Sequence, residues 1–193
     1  MDGNAARTKR WRRLEYERLV DLGAFPPGDR LELVAGELLV REPQGSPHAT
    51  AIRSAQEALR AALGPGWEIR TQMPVALDDE SEPEPDVTVV PGSFRDYSSG
   101  AHPSRPALLI EVAESRLAFE REEKGSLYAR AGVPDYWIVN LLDRVLEVYR
   151  EASPDIRARH GWSYRAALSL GPKEHIAPLA VPSPRILVAD LLP

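Results

Sequence analysis

The sequence predicts an α/β fold, a central mixed β-sheet flanked by α-helices. Three observations predict it. Two stretches with apolar residues at helical spacing, Ser46 to Leu63 and Ser115 to Ala131, alternate with short strand-like runs. Two of those runs, Asp86-Val87-Thr88-Val89-Val90 and Leu108-Leu109-Ile110-Glu111-Val112, read as strands covered on both faces, each carrying one acid. The chain has 193 residues and shows neither an internal repeat nor a break in composition, so one domain holds the whole core.

The elements follow from local signals. Residues 1–13 read as a basic arm, with Arg7-Thr8-Lys9-Arg10-Trp11-Arg12-Arg13 as its charged part, and residues 14–193 as the single folded domain. A short amphipathic helix runs from Leu14 to Leu22 and stops at Gly23 and Pro26-Pro27. Leu31 to Val34 and Glu37 to Val40, around Ala35-Gly36, form a hairpin. The first long helix carries Ile52, Ala55, Leu59, Ala62 and Leu63 at helical spacing and ends at Gly64-Pro65-Gly66. Trp67 to Gln72 and Val75 to Leu77 read as strand-like, followed by an acidic turn at residues 78–82 and the Asp86 strand. A Gly-, Ser- and Pro-rich loop from Pro91 to Pro106 leads to the Glu111 strand. Ser115 is placed to cap the second long helix, which Gly132 and Pro134 stop. Tyr136 to Val139 and Val145 to Tyr149 flank an Asp143-Arg144 turn, and peripheral strands, Trp162 to Leu170 the clearest, lead into the apolar tail Ile186 to Leu192.

Composition excludes several chemistries. The absence of cysteine removes disulfides, thiolate catalysis and cysteine-ligated zinc. His48, His102, His160 and His175 have no close pairing at metal-ligand spacing, and no Gly-rich phosphate loop is present. A net charge of −5 argues against coating nucleic acid by bulk charge and leaves a local basic patch as the expected contact. No stretch is long and apolar enough to span a membrane, and no apolar segment follows the basic N-terminal run, so a cytoplasmic location is expected.

Asp86, Glu111 and Lys124 carry the functional argument. A carboxylate in a buried strand is costly unless a cation compensates it. Asp86 opens its strand after Pro85, whereas Glu111 lies near the end of its own. If the two strands run antiparallel, both acids face one spot, as a metal site requires; two carboxylates suffice for a hard cation such as Mg²⁺, which keeps several waters. The alternative is two acids at strand ends touching solvent. Lys9, Lys124 and Lys173 are the only lysines, the other 21 basic residues being arginine, so a lysine at 124 suggests a use for a compact ammonium. Its alternative is a surface pair with Glu120, four residues earlier.

The order helix, strands, Asp strand, Glu strand, helix, strand is that of the restriction-endonuclease-like core. The blocks Arg30 to Leu38, Pro85-Asp86, Glu111-Val112 and, above all, Lys124 followed by Tyr128-Ala129-Arg130-Ala131-Gly132-Val133-Pro134-Asp135-Tyr136-Trp137-Ile138-Val139 resemble a restriction-endonuclease family, the Uma2 type. That family, abundant in cyanobacteria and long filed as a domain of unknown function, belongs to the PD-(D/E)XK nuclease superfamily. The resemblance covers roughly residues 14 to 150. It departs after Glu111-Val112, where relatives often have Leu-Ser-Pro-Ser and this chain has Ala113-Glu114-Ser115-Arg116.

The resemblance implies a metal-dependent endonuclease acting on nucleic acid, expected to be DNA, with Mg²⁺ as cofactor and Mn²⁺ able to substitute. It implies Asp86, Glu111 and the Val112 carbonyl as metal ligands, and Lys124 as the catalytic lysine, moved from the position of Ala113 to the following helix. Glu120 and Tyr128, on the helical face of Lys124 at i, i+4 steps, are expected to orient it. Glu37 matches the family's hairpin acid. His48 matches a position often basic in the family, where it can meet a phosphate near the helix N-terminus, or else is an exposed helix-start residue. A homodimer is the simplest arrangement for cutting both strands of a duplex. The rival reading is a nuclease-fold protein without turnover, binding nucleic acid or a partner. A glycosidase with paired carboxylates would have no use for Lys124.

Overall fold

The computed structural model of the chain describes residues 8–41, 43–98, 100, 102–182 and 185–193. In order, it forms α1 (Arg13–Asp21), β1 (Leu31–Val34), β2 (Glu37–Val40), α2 (Ser46–Leu63), β3 (Trp67–Thr71), β4 (Val87–Pro91) and β5 (Leu108–Ala113). There follow α3 (Leu117–Phe119), a π-helical turn (Glu120–Lys124), α4 (Gly125–Arg130), β6 (Asp135–Asn140), β7 (Val145–Pro154) and β8 (Trp162–Leu170). Two-residue strands β9 (His175–Ile176) and β10 (Ile186–Leu187) pair near the C-terminus.

Six strands make one mixed sheet in the order β3-β4-β5-β6-β7-β8. Only β5 and β6 are parallel, joined by the crossover helix; every other neighbour is antiparallel. Successive side chains of a strand point to opposite faces, and here both faces are covered. On one, α2 and the tail residues Val188, Leu191 and Leu192 bury Val87, Leu108, Ile110, Val112 and Trp137. On the other, Leu127, Tyr128 and Val133 bury Leu109, Ala113, Tyr136 and Ile138 together with Val34 of the hairpin. Two-sided burial is why β5 and β6 read as unbroken apolar runs.

The hairpin lies against the second face. Its turn puts Ala35 at φ 46° and Gly36 at φ 80°, the left-handed pair that matches the twist of two antiparallel strands. β1 also pairs with the chain at Glu82, where Leu33 and Glu82 exchange two main-chain hydrogen bonds (2.8 and 3.3 Å). This closes the hairpin over the start of β4.

Trp162 to Leu170, the clearest of the peripheral strands, is the edge strand of the central sheet. Three sequence expectations change. Val75 to Leu77 is not a strand, because after Gln72 turns to φ 52° the chain leaves the sheet. Ser115 is not the helix cap: the helix begins one residue later, with Arg116 at its N-terminus and no side-chain cap. The second helix is not α-helical throughout, being widened by the turn at Glu120–Lys124. Of the N-terminal basic run, Arg7 lies outside the described residues; Trp11 N–H donates to the Gly36 carbonyl (2.9 Å) and Arg10 to the Ala35 carbonyl (2.5 Å), so Arg10 and Trp11 hold the hairpin turn. Among the described residues, no helix is long and apolar enough to cross a membrane.

Candidate active site

Antiparallel pairing of β4 with β5 brings the two strand acids together. The register sets Val87 opposite Ile110, so one step further Asp86 faces Glu111. Each acid accepts from the other's strand: Asp86 N–H donates to Glu111 Oε2 (3.2 Å), and Val112 N–H donates to Asp86 Oδ2 (2.9 Å). Both carboxyls are buried. Strand pairing and carboxylate placement are therefore one interaction.

Lys124 meets this pair from the crossover helix. Its ammonium is only 3% exposed and donates to Glu111 Oε1 (3.3 Å) and, more closely, to Glu32 Oε2 (2.7 Å). Burial alone would lower its pKa, but the charges of Glu111, Glu32 and Glu120 outweigh burial and raise it. Tyr128 Oη donates to the same Glu111 oxygen (2.5 Å), fixing the carboxyl from one helical turn beyond Lys124. The expected cluster of Asp86, Glu111, Lys124 and Tyr128 is assembled in the fold.

The hairpin contributes Glu32, not Glu37. Glu37 is exposed and its nearest charge is Arg10 at 3.9 Å, outside the pocket. Glu37 pairs with Val34 beside the turn, whereas Glu32 pairs with Leu39, and it is this second pair that lines the pocket. Glu32 carried the same signal as the other two acids, a lone charge within Leu31-Glu32-Leu33-Val34, and its second bond, from the Glu84 N–H (3.1 Å), ties it to the segment leading into β4.

Two basic side chains line the opposite wall. Arg41, just past β2, donates to Asp86 Oδ1 (3.0 Å) and to the Glu84 carbonyl (2.7 Å). His48, in the first turn of α2, brings Nε2 to 3.1 Å from Asp86 Oδ2 outside hydrogen-bond geometry, so that the buried nitrogen has no hydrogen-bond partner. His48 thus faces the acids rather than solvent. Burial pushes Asp86 toward the neutral form, but His48, the Val112 N–H and Arg41 outweigh it and hold its pKa below the usual carboxylate range. Arg41 had no signal in the sequence beyond following a strand.

Glu120 completes the pocket in an unusual state. Its Oε2 is buried with no hydrogen-bond partner, and burial followed by the charge of Glu111 raises its pKa well above the ordinary value. Glu111 is raised too, by burial first, with Lys124 opposing it. A buried acid that keeps its proton when the unfolded chain has released one costs stability as pH rises from about 4.3 to its raised pKa. Glu120→Gln is therefore expected to gain stability over the wild type in that window, in metal-free buffer, with the difference fading below it. Urea denaturation across pH measures this, and a difference that does not change with pH would contradict it.

The pocket is open to solvent and lined by Glu32, Arg41, His48, Asp86, Glu111, Val112, Glu120 and Lys124. Among the described residues, no three His, Asp or Glu groups are arranged around one point to hold a metal ion in this conformation. The donor chemistry nevertheless fits one: four carboxyls face Arg41, Lys124 and His48, two of those carboxyls are driven toward protonation, and one buried oxygen is unpartnered. Hard oxygen donors in excess of nearby cations suit a divalent ion.

Asp135, within the block that most resembles the family, is structural. Fully buried on β6, it accepts from Trp137 Nε1 (2.8 Å), from Arg150 (2.8 and 3.1 Å) and from the Leu179 N–H (2.9 Å), pinning the C-terminal segment to the sheet.

Comparison with known proteins agrees with this architecture. No curated protein matches the chain. A crystal structure titled as “a putative nuclease belonging to DUF820” from Anabaena variabilis superposes with a TM-score of 0.65 at 13% identity, over 90% of this chain and 96% of that one. At that identity the likeness establishes the fold. The Uma2 profile, described as “Putative restriction endonuclease”, matches residues 14–171, from the first turn of α1 to just past the edge strand β8. A match spanning the whole sheet and every wall of the pocket means that the chain belongs to the Uma2 family of restriction-endonuclease-like proteins.

Proposed function

We propose that the chain is a divalent-metal-dependent endonuclease that hydrolyses phosphodiester bonds of DNA. One observation carries the reading: Asp86 and Glu111 converge at the joined ends of β4 and β5, with a buried ammonium, Lys124, beside them in an open pocket. Asp86, Glu111 and the Val112 carbonyl would hold the cation, Mg²⁺ with Mn²⁺ able to substitute. Bound there, it supplies Lewis acidity and lowers the pKa of water.

The chain's own residues supply the rest. Lys124 places a permanent positive charge next to the acids, where negative charge develops on the phosphoryl group during hydrolysis, and charge fixed in advance there lowers the barrier. Glu32 holds that ammonium in place, and Tyr128 holds Glu111. Arg41 gives the outer wall positive character toward a polyanionic backbone, with the His48 ring beside it, the local patch that a chain of net charge −5 needs.

The test pairs nicking of supercoiled plasmid with calorimetry of Mg²⁺ and Mn²⁺ binding. Expected are cleavage with either ion, loss of cleavage with EDTA, recovery on adding the ion back, and release of protons on binding as Glu120 ionises. The rival reading, a nuclease fold that binds without turnover, draws on the engagement of both Asp86 oxygens by Arg41 and His48. Binding of DNA with no cleavage under any divalent ion would favour it.

A further inference from the structure

The helix that carries Glu120, Lys124 and Tyr128 contains one residue too many for an α-helix. Gly125 N–H bonds to the Glu120 carbonyl, five residues back rather than four, and ordinary α-helix resumes at Gly125–Arg130. A single π turn strains the regular ladder and recurs at functional sites. Its consequence is angular. At 3.6 residues per turn, one extra residue rotates everything upstream by about 100° relative to everything downstream. Here it directs Glu120 to the pocket that Lys124 also lines, while Arg121 turns to β7 and donates twice to Glu147 (2.9 and 2.6 Å).

We propose that Tyr136 is a positioning residue, holding this π turn and thereby setting Glu120 beside Lys124 at the strand acids. The inference rests on the nuclease reading above. Tyr136 Oη donates to the Glu120 carbonyl (3.0 Å), the oxygen that also receives the Gly125 N–H. Tyr136 is fully buried on β6 and immobilised by aromatic neighbours: Tyr128 meets it edge-on at 5.0 Å, and Tyr149 and Tyr164 lie at 5.7 and 6.2 Å. The turn is packed closely against the ring: a Cβ built on Gly125 would stand in ordinary van der Waals contact, 3.4 Å from the Glu120 carbonyl and 3.6 Å from the Tyr136 ring. In an α-helical turn the same carbonyl would take the Lys124 N–H, and the second donor from the sheet would be lost. Tyr136 thus ties the turn's register to β6, the strand parallel to the one bearing Glu111.

Tyr136→Phe keeps the ring and removes the hydroxyl. Two readouts decide its role: hydrogen-bond scalar couplings by NMR, which report whether Gly125 or Lys124 donates to the Glu120 carbonyl, and kcat and KM for plasmid nicking. In the variant the coupling is expected to move from Gly125 to Lys124, and kcat to fall on the order of 10- to 100-fold with KM nearly unchanged. Because Tyr136 acts through Glu120, the loss should vanish in the Glu120→Gln background. Glu122→Ala, exposed on the same turn, should behave as wild type. If Tyr136→Phe does not fold, deletion of Glu122 removes the surplus residue directly: Gly125 then stands four residues after Glu120, the Gly125-to-Glu120 coupling is kept as an α-helical one, and the same loss in kcat is expected. A variant that nicks at the wild-type rate, or one whose loss is equal with and without the Glu120 carboxyl, overturns the positioning role and leaves the nuclease reading standing. A wild type that nicks under no divalent ion overturns both.

Discussion

Asp86→Ala is expected to reduce plasmid nicking by roughly 10³-fold or more, since it removes a carboxylate that would hold the cation and so the charge stabilisation the cation supplies. Calorimetry on the same variant should show divalent-ion binding lost or weakened beyond detection. The fold should survive at a cost. Asp86 accepts from Arg41 and from the Val112 N–H, so its removal leaves a part-buried guanidinium and a buried strand N–H short of an acceptor, about 1–3 kcal/mol. Arg41 keeps Glu84, which limits the loss. Glu111→Gln should lose activity similarly while relieving carboxylate repulsion. Retained nicking in Asp86→Ala, in a protein with native circular dichroism, would remove Asp86 from the site.

Lys124→Met should cost both activity and stability. The ammonium is the only cation in contact with Glu32 and Glu111 among the described residues, and both of those carboxyls are buried. Removing one member of a buried charge pair costs about 3–5 kcal/mol, because the remaining charge has lost both water and partner. The sign with pH follows. Without Lys124, Glu111 binds a proton more tightly when folded than when unfolded, so the variant's deficit should shrink as pH falls and grow as pH rises past the ordinary carboxylate pKa. Chemical denaturation at pH 5 and pH 8 measures this. Equal deficits at both would mean that Lys124 does not neutralise the carboxyls. Lys124→Arg is not a rescue, since a planar guanidinium does not fit a side chain with 3% exposure without displacing its neighbours.

The sequence by itself determined the order of the sheet's strands and helices, because burial on both faces writes apolar runs and helical spacing into the chain, and Gly and Pro mark their ends. It also singled out Asp86 and Glu111, since a lone charge within an apolar strand is visible in any linear pattern, and Lys124, as one of three lysines in an arginine-rich chain and the first residue of the block that resembles the family. Glu32 was legible by that same rule, whereas the resemblance pointed to Glu37, and a linear pattern does not say which hairpin acid reaches the strand acids. Docking of the hairpin through Glu82 decides that. Arg41, His48 and Asp86 meet across 45 and 38 residues of chain, a proximity set by strand register and the direction of α2. The π turn was equally hidden: its extra residue is held by Tyr136 and Glu147, on strands formed later in the chain. Local propensity sets which element forms, but the angle at which Glu120 and Lys124 reach the acids is a property of packing between elements, and only the tertiary structure decides it.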